Sequence, residues 1–245
     1  MMTEALYLEN PYLELAEATV TAVGTDGGLY VDRAIFYPQG GGQPGDRGSI
    51  EWGTGFRTNI KNSVYNTDRS SIILVPEADQ ELPQLGQTII QRLDWARRHA
   101  LMRMHTAMHL LSVVLPYPVT GGQVGAEEGR LDFDLPEGET VDKTSATDAL
   151  NALIRADHAV TTEWITDAEL AKNPALVKTM KVKPPTGAGR VRLVRIGTDI
   201  DLQPCGGTHV KSTGEIGEMQ IAKIENKGRI NRRVRLRFSP TANNA

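Results

Sequence analysis

The sequence predicts an α+β protein in two parts. Residues 1–92 form a small domain of short strands, of barrel or sandwich type. Residues 93–245 form an α+β domain whose helices pack on an antiparallel sheet. Three observations predict this. Short β-rich runs parted by glycine- and proline-bearing turns fill the first ninety or so positions. Leu101, Met104, Met108, Leu111 and Leu115 then recur at intervals of three and four, the period of a helix. Strand-like runs return near the end as RVRLVRIG, EIGEMQIAKIENKG and RRVRLRF.

Taken in order, AEATVTAVGTDGGLYVDRAIF holds two strands around a turn, with Asp26-Gly27 as the hairpin signal. IFYPQGGGQPGDRGSIEW places Gly40, Gly41, Gly42, Gly45 and Gly48 in one interval, too many for a helix or a central strand. Further strands are expected near Thr58–Tyr65, Ser71–Val75 and Thr88–Leu93. Asp94 is placed to cap a helix over Trp95–Leu115, in one piece or broken near Arg103, and Pro116 and Pro118 end it. A glycine-rich turn, TGGQVGAEEG, leads to the strand RLDFDL. A second helix is expected from Thr144 or Ser145 to about Ala156, with Ser145 and Asp148 spaced as a capping box. A third repeats that spacing at Thr166 and Glu169, and Pro174 closes it.

Bulk properties narrow the function. With 40% hydrophobic and 23% charged residues, the chain has the composition of an ordinary globular protein. Its single cysteine excludes an internal disulfide and fits a reducing compartment. No apolar run is long enough to span a membrane, and the first residues lack a signal-peptide pattern, so the cytoplasm is expected. The formal net charge of -3 argues against wrapping a long nucleic acid. Yet Lys223, Lys227, Arg229, Arg232, Arg233, Arg235 and Arg237 face only Glu225, a local excess of six positive charges in fifteen residues. Such a strip suits a compact or single-stranded RNA end; otherwise it is a solvated strand edge.

Two histidine-bearing elements carry the chemistry. His105 and His109 lie four apart in the helical segment, so both imidazoles leave one face. Cys205 and His209 are also four apart, in CGGTH, where two glycines favour a tight turn. One cysteine with three histidines suits a tetrahedral zinc, one per chain. The two elements are far apart in sequence, so the ion would join helix to sheet rather than form a finger. Four protein ligands describe a closed, structural site, and catalysis would need an exchangeable or fifth position. Thr106 follows His105 where a zinc peptidase has glutamate. His99 and His158 read as ordinary surface or core histidines.

FYPQGGGQPGDRG (36–48), MRMHTAMHLL (102–111), CGGTHVKSTGEIG (205–217) and KIENKGRINRRVRL (223–236), with RLDFDL (130–135) as a looser match, resemble the alanyl-tRNA editing family. Its members are free-standing relatives of the alanyl-tRNA synthetase editing domain and share the threonyl-tRNA synthetase editing fold. The resemblance runs in order along nearly the whole chain. It implies a medium-length member, with an N-terminal β-barrel carrying the GGGQ loop over 1–92 and a zinc-binding editing domain over 93–245. Met104 and Met108 stand where the family often has Asn and Thr, and TGGQVGAEEG departs from its usual serine-containing approach.

The resemblance implies that His105, His109, Cys205 and His209 hold zinc. It also implies an ATP-independent deacylase that removes serine, and often glycine, from mischarged tRNA of the alanine type. Gln43 and Thr106 are the candidates for holding water or substrate, with Thr106 also expected to meet the serine hydroxyl. The amides of Gly206 and Gly207 are candidates for the developing oxyanion, and Thr208 offers a hydroxyl beside a ligand. Substrate and tRNA contacts are expected at Gly40, Gly41, Gly42, Arg130, Asp132, Lys223, Lys227, Arg229, Arg232 and Arg233. No carboxylate is named as base. The expected partner is mischarged tRNA, not DNA or membrane, and the chain is expected to be a monomer. Two alternatives stay open: an RNA-binding module with structural zinc, and a zinc hydrolase of small free esters or amides.

Overall fold

A computed structural model describes residues 2–178 and 189–240. The chain folds as two compact units, Met1–His99 and Ala100–Ala245.

In the first unit six strands close into a barrel in the order β2-β3-β7-β6-β5-β8. They are β2 (Leu15–Val23), β3 (Leu29–Val31), β5 (Gly48–Trp52), β6 (Phe56–Tyr65), β7 (Ile72–Pro76) and β8 (Thr88–Leu93). The sequence pattern alone fits barrel and sandwich equally, and closure gives the barrel. A short parallel pair, β1 (Glu4–Ala5) with β4 (Arg33–Ala34), and the single turn α1 (Leu6–Glu9) complete the unit. Alternation does the sorting. Along β8, Ile89, Gln91 and Leu93 are buried while Thr88, Ile90 and Arg92 are exposed. Val20, Leu29, Ile50, Ile60, Ile72, Leu74 and Ile89 fill the interior with Phe36. Each such side chain contributes about 1.5–3 kcal/mol by leaving water. The Asp26-Gly27 turn joins β2 to β3 as expected, with Gly27 at φ 80° and the Asp26 carboxylate accepting from the Gly28 amide.

The glycine segment forms an ordered loop between β4 and β5. Gly40 and Gln43 exchange backbone hydrogen bonds of 3.1 and 2.9 Å, closing a two-residue hairpin turn. Its central residues, Gly41 and Gly42, have φ of 57° and 85°. Positive φ at both positions is what this turn demands, and side chains there would be strained. At Gly45 a Cβ atom would lie 2.1 Å from the Ser63 carbonyl oxygen, so only glycine lets the loop pass. The next residue, Asp46, is buried and accepts from the Tyr37 amide and from Arg98.

Helix α2 (Trp95–Val114) is unbroken through Arg103, which settles the question of one piece or two. Asp94 caps it, its carboxylate accepting from the Arg97 amide at 3.2 Å. The His99 ring stacks on Trp95, with centroids 5.4 Å apart.

The second unit holds two antiparallel sheets. The larger has the order β14-β15-β10-β9, from β9 (Val119–Gln123), β10 (Glu128–Asp134), β14 (Met219–Asn226) and β15 (Asn231–Phe238). The smaller is β11 (Val160–Thr166), β12 (Arg190–Ile196) and β13 (Asp201–Pro204). Helix α3 (Lys143–Arg155) lies on β14, where Asn151 exchanges two hydrogen bonds with the Met219 backbone and so satisfies that edge strand. Helix α4 (Asp167–Lys172) starts at the expected Thr166–Glu169 capping box.

Three local expectations need correction. Helix α3 begins earlier than Thr144, because Asp142 is extended and its carboxylate caps the Ser145 amide; Ser145 is inside the helix. The supposed turn at TGGQ is strand β9, whose glycines run close to their partner: a Cβ on Gly122 would meet Leu131 at 3.0 Å. Strands β11 and β13 went unforeseen, the first because its exposed residues give no apolar stripe, the second because it is four residues long. Met104 and Met108 are buried, packed where Gly129 of β10 leaves room; a Cβ there would lie 2.7 Å from the Met104 sulfur.

Candidate metal centre

Helix α2 presents His105 and His109 one turn apart, with ring centroids 5.3 Å from each other. Strand β13 ends at Pro204, and the chain then turns through Gly206 and Gly207. The Gly207 amide donates to the Cys205 sulfur at 3.4 Å, which curls the turn onto its own thiolate. Arg192 of β12 holds that turn from the other side, donating to the carbonyls of Cys205 and Gly207 at 2.9 Å each. His209 is thereby brought round to face the helix.

The ligand atoms of His105, His109, Cys205 and His209 all lie within 4.8 Å of one another. The Cys205 sulfur is 3.5 Å from His105 Nε2 and 3.3 Å from His209 Nε2. Zinc–sulfur and zinc–nitrogen bonds of about 2.3 and 2.0–2.1 Å at tetrahedral angles give an S···N edge of about 3.5 Å. The four donors therefore fit a metal ion in both spacing and type.

Electrostatics agree with that fit. Burial raises the Cys205 thiol, but the neighbouring charge of His105, with hydrogen bonds from His105 and His109, outweighs it and holds the thiol well below its usual range. Burial and the charge of His105 press His209 down to about 3, leaving a neutral imidazole. His109 is pushed up to about 9: burial lowers it, while hydrogen bonds to Asp201 and Cys205 dominate. With Asp201 holding Nδ1, His109 would offer Nε2 to a cation, whose charge would replace that of the proton.

Behind the ligands stand residues that the sequence did not reveal as part of the site. His109 Nδ1 lies 3.0 Å from Asp201 Oδ2, and Asp201 accepts from Lys178 at 2.6 Å and Gln203 at 2.7 Å. Burial would raise this carboxyl, yet the bond and charge of His109, with Lys178 and Gln203, hold it at about 2. The folded value is below the ordinary 3.8, so the contribution of this group is complete above about pH 4 and is lost as pH falls toward about 2. A carboxylate behind a ligating histidine is a common arrangement, and an acid close before Cys205 was the available signal. Asp201→Asn is expected to weaken metal affinity about 10- to 100-fold. Competition against a chromophoric chelator measures this, and an affinity equal to the parent's would remove Asp201 from the site.

The Thr106 hydroxyl is already engaged by protein partners. It is fully buried, donates to the Met102 carbonyl at 2.9 Å, and accepts from the Val210 amide at 3.3 Å. Its second lone pair faces His209 Nδ1 at 3.1 Å. One donor and two acceptor positions are thus spent, leaving nothing for a water or a serine hydroxyl. Thr106 orients His209. The Gly207 amide is likewise committed to the sulfur, whereas a Cβ on Gly206 would meet nothing within 4 Å, so that residue borders open space. Thr208 is fully buried. Gln43 is buried in the first unit, while Gly41 and Gly42 at the tip of its turn are exposed.

The basic strip is largely paired. Strand β15 turns Arg233, Arg235 and Arg237 to one face, opposite β10. Arg233 grips Asp132 through two bonds, and Arg130 binds the same carboxylate. Arg235 bridges Glu225 and Glu128, and Arg237 also binds Glu128. Arg235 holds the Glu225 carboxyl at about 2. Lys223 and Lys227 lie within ion-pair distance of Glu225, Arg229 of Glu137, and Arg232 donates to backbone carbonyls. Glu128, Asp132 and Glu137 lie some hundred residues before the strip, so the apparent excess of six is partly cancelled on folding.

The segment that carries the Cys205–His209 turn is of a class found within the tRNA synthetases. The family model for the threonyl and alanyl tRNA synthetase second additional domain matches residues 191–235, from β12 through the Cys205–His209 turn into β15. An alanyl-tRNA editing protein AlaX-M of Methanosarcina acetivorans is 35% identical over 242 residues, covering 95% of this chain and 98% of that one. The AlaX-M protein of Saccharolobus solfataricus is 32% identical over 246 residues, 98% and 100% of the two chains. An alanine–tRNA ligase of Pyrobaculum aerophilum is 34% identical over 236 residues, 91% of this chain but 25% of the ligase. The chain belongs to the alanyl-tRNA editing protein AlaX family. Among the described residues no helix is long and apolar enough to cross a membrane.

Proposed function

We propose that the protein is a zinc-dependent deacylase that removes serine, and glycine, from mischarged tRNA of the alanine type. The observation that carries this reading is the convergence of three histidines and a thiolate with one open side. His105, His109 and His209 are buried, whereas Cys205 is partly exposed and Gly206 beside it borders open space. The family names of the full-length relatives supply the substrate class.

His105, His109, Cys205 and His209 would hold the ion, which when bound supplies Lewis acidity and orientation at an ester carbonyl. Around it the chain positions rather than reacts. Asp201 and Thr106 fix the imidazoles of His109 and His209, and Arg192 fixes the turn that aims the sulfur. The Gly206 amide, at the open side, is the donor offered to the developing oxyanion. Water adds to the carbonyl carbon, the bond to the ribose 3′ oxygen breaks, and free amino acid and tRNA leave. An ester is labile enough that positioning suffices.

Serine-, glycine- and alanine-charged tRNA of the alanine type, incubated with the protein before and after chelation, test this. Fast release of serine that chelation stops is expected; release no faster than in buffer refutes the reading. The closed set of four protein ligands favours one other reading, an RNA-binding module with a structural ion. Metal-dependent RNA binding without deacylation would establish that reading instead.

A further inference from the structure

A second group of cations, three of them without an ion-pair partner among the described residues, gathers on the barrel. Strands β6, β5 and β8 are neighbours, and period-two alternation puts Ile60, Ile50 and Ile89 inside. The same alternation turns Arg57, Asn59 and Lys61 of β6 and Arg92 of β8 outward. Register lines up Asn59, Ser49 and Arg92 across the three strands. Arg47, in the loop before β5, and Arg97, in the first turn of α2, close the end of this surface. The result is an open groove of about 830 Å³ that lies wholly within the first unit.

Five cations line it: Arg47, Arg57, Lys61, Arg92 and Arg97, against two acids, Glu77 and Asp94. Arg92 pairs with Glu51, and Arg97 donates to the Gly45 carbonyl. Arg47, Arg57 and Lys61 are exposed and have no ion-pair partner among the described residues. Burial and the charge of nearby Arg47 lower Arg97, as expected where guanidinium groups crowd. In the groove's floor Ser49 is 1% exposed, and its hydroxyl is buried without a hydrogen-bond partner among the described residues. A drug-like ligand wants a mostly apolar cavity. This one offers free cations along a concave strip, with Arg57 and Lys61 roughly 13 Å apart on one strand, a length that several consecutive phosphates cover.

We propose that this groove binds the phosphodiester backbone of the tRNA. The inference rests on the reading that tRNA is the substrate, and it moves the main electrostatic contact away from the residues 223–237 strip. There, Arg229, Arg233, Arg235 and Arg237 must each give up a carboxylate before taking a phosphate. Here, Arg47, Arg57 and Lys61 exchange only counterions, and their release drives binding.

The test uses the full zinc-loaded chain and uncharged tRNA of the alanine type, so it does not depend on deacylation. Arg47→Gln, Arg57→Gln and Lys61→Gln are combined in one variant. These side chains are exposed, so zinc content and melting temperature are expected to match the parent's. Binding is followed by anisotropy between about 50 and 200 mM salt. The triple variant is expected to bind about tenfold or more weakly, with a log–log salt slope shallower by about 2. Lys223→Gln with Arg229→Gln is expected to change that slope less. The groove is refuted if the triple variant keeps the parental slope and affinity, if the strip variant takes the larger loss, or if the parent binds this RNA without salt dependence. Salt-dependent binding lost in the triple variant, by a parent that releases no serine, would uphold the groove and refute the deacylase instead.

Discussion

Cys205→Ala is expected to lower zinc affinity by at least about a hundredfold and to abolish release of serine from charged tRNA. The bound follows from the outer contacts: losing one partner behind a ligand costs about 10- to 100-fold, and losing a ligand must cost more. The sulfur also organises its own turn, since the Gly207 amide bonds to it and both His105 and His209 close upon it. His109→Ala should behave alike, with the added penalty of leaving Asp201 buried without its imidazole partner. Stability should follow the metal, because an ion held by these four residues would tie α2 to the turn after β13. At a free zinc concentration a hundred times the dissociation constant, binding stabilises by about 2.7 kcal/mol. Chelation should then lower the melting temperature of the parent by about 5–10 °C and leave Cys205→Ala almost unchanged. Metal analysis after gel filtration and calorimetry with and without chelator measure both effects. A Cys205→Ala protein that retains one tightly held zinc would refute the four-ligand site.

The largest effect on stability is expected at Arg98. Its guanidinium is 1% exposed, as is Asp46, to which it donates through Nε at 2.9 Å and again through a terminal nitrogen. It also donates to the carbonyls of Ile35 at 2.6 Å and Pro11 at 2.9 Å. Asp46 Oδ1 has no hydrogen-bond partner among the described residues, so the buried carboxylate depends on this arginine for compensation. Arg98→Met removes the cation and leaves a buried charge and two carbonyls unanswered, at a cost of about 3–5 kcal/mol. For a unit of this size that is a fall of about 15–30 °C in the barrel's melting temperature. Adding Asp46→Leu should recover part of the loss, because an apolar pair removes the stranded charge, while the Tyr37 amide still lacks its acceptor. Circular dichroism of the four members of this cycle decides. An Arg98→Met protein within about 1 kcal/mol of the parent would show the pair to be dispensable. Because Asp46 ends the glycine loop, the same variant should also raise proteolytic cutting between Gly40 and Gly45.

Arg98 and Asp46 also show what a linear reading misses. Both are ordinary charged residues in the sequence, one in a helix and one in a glycine-rich loop, and nothing in their spacing of fifty-two residues marks them as partners. The site divides in the same way. His105 with His109, and Cys205 with His209, are visible because each pair is local: a helical repeat or a two-glycine turn brings its members together whatever the rest of the chain does. Asp201, Gln203 and Arg192 are not visible, because β12 and β13 must first pair before their side chains can face the cluster, and Lys178 meets Asp201 from a segment outside that sheet. Thr106 follows His105 in the chain, yet its hydroxyl bonds the Met102 carbonyl and lies 3.1 Å from His209 Nδ1. Adjacency to His105 in the chain says nothing about its hydroxyl, which on the helix faces His209 and Val210.

By itself the amino-acid order determined most strands of the barrel but not β5, and also the long helix, the capping box at Thr166, the Asp26-Gly27 turn and the two histidine-bearing pairs. All of these are set by periodicity or by φ preferences that act over a few residues. Only tertiary structure decided that the barrel closes, that the pairs meet within one ion's reach, and which charges are free. The last point is the clearest. Residues 223–237 carry the densest run of bases, yet the chain folds Glu128, Asp132 and Glu137 against them, while Arg47, Arg57 and Lys61, spread over loop and strand, gather along one groove. Charge density along a chain is a local property; the field around a folded protein depends on partners that are distant in sequence.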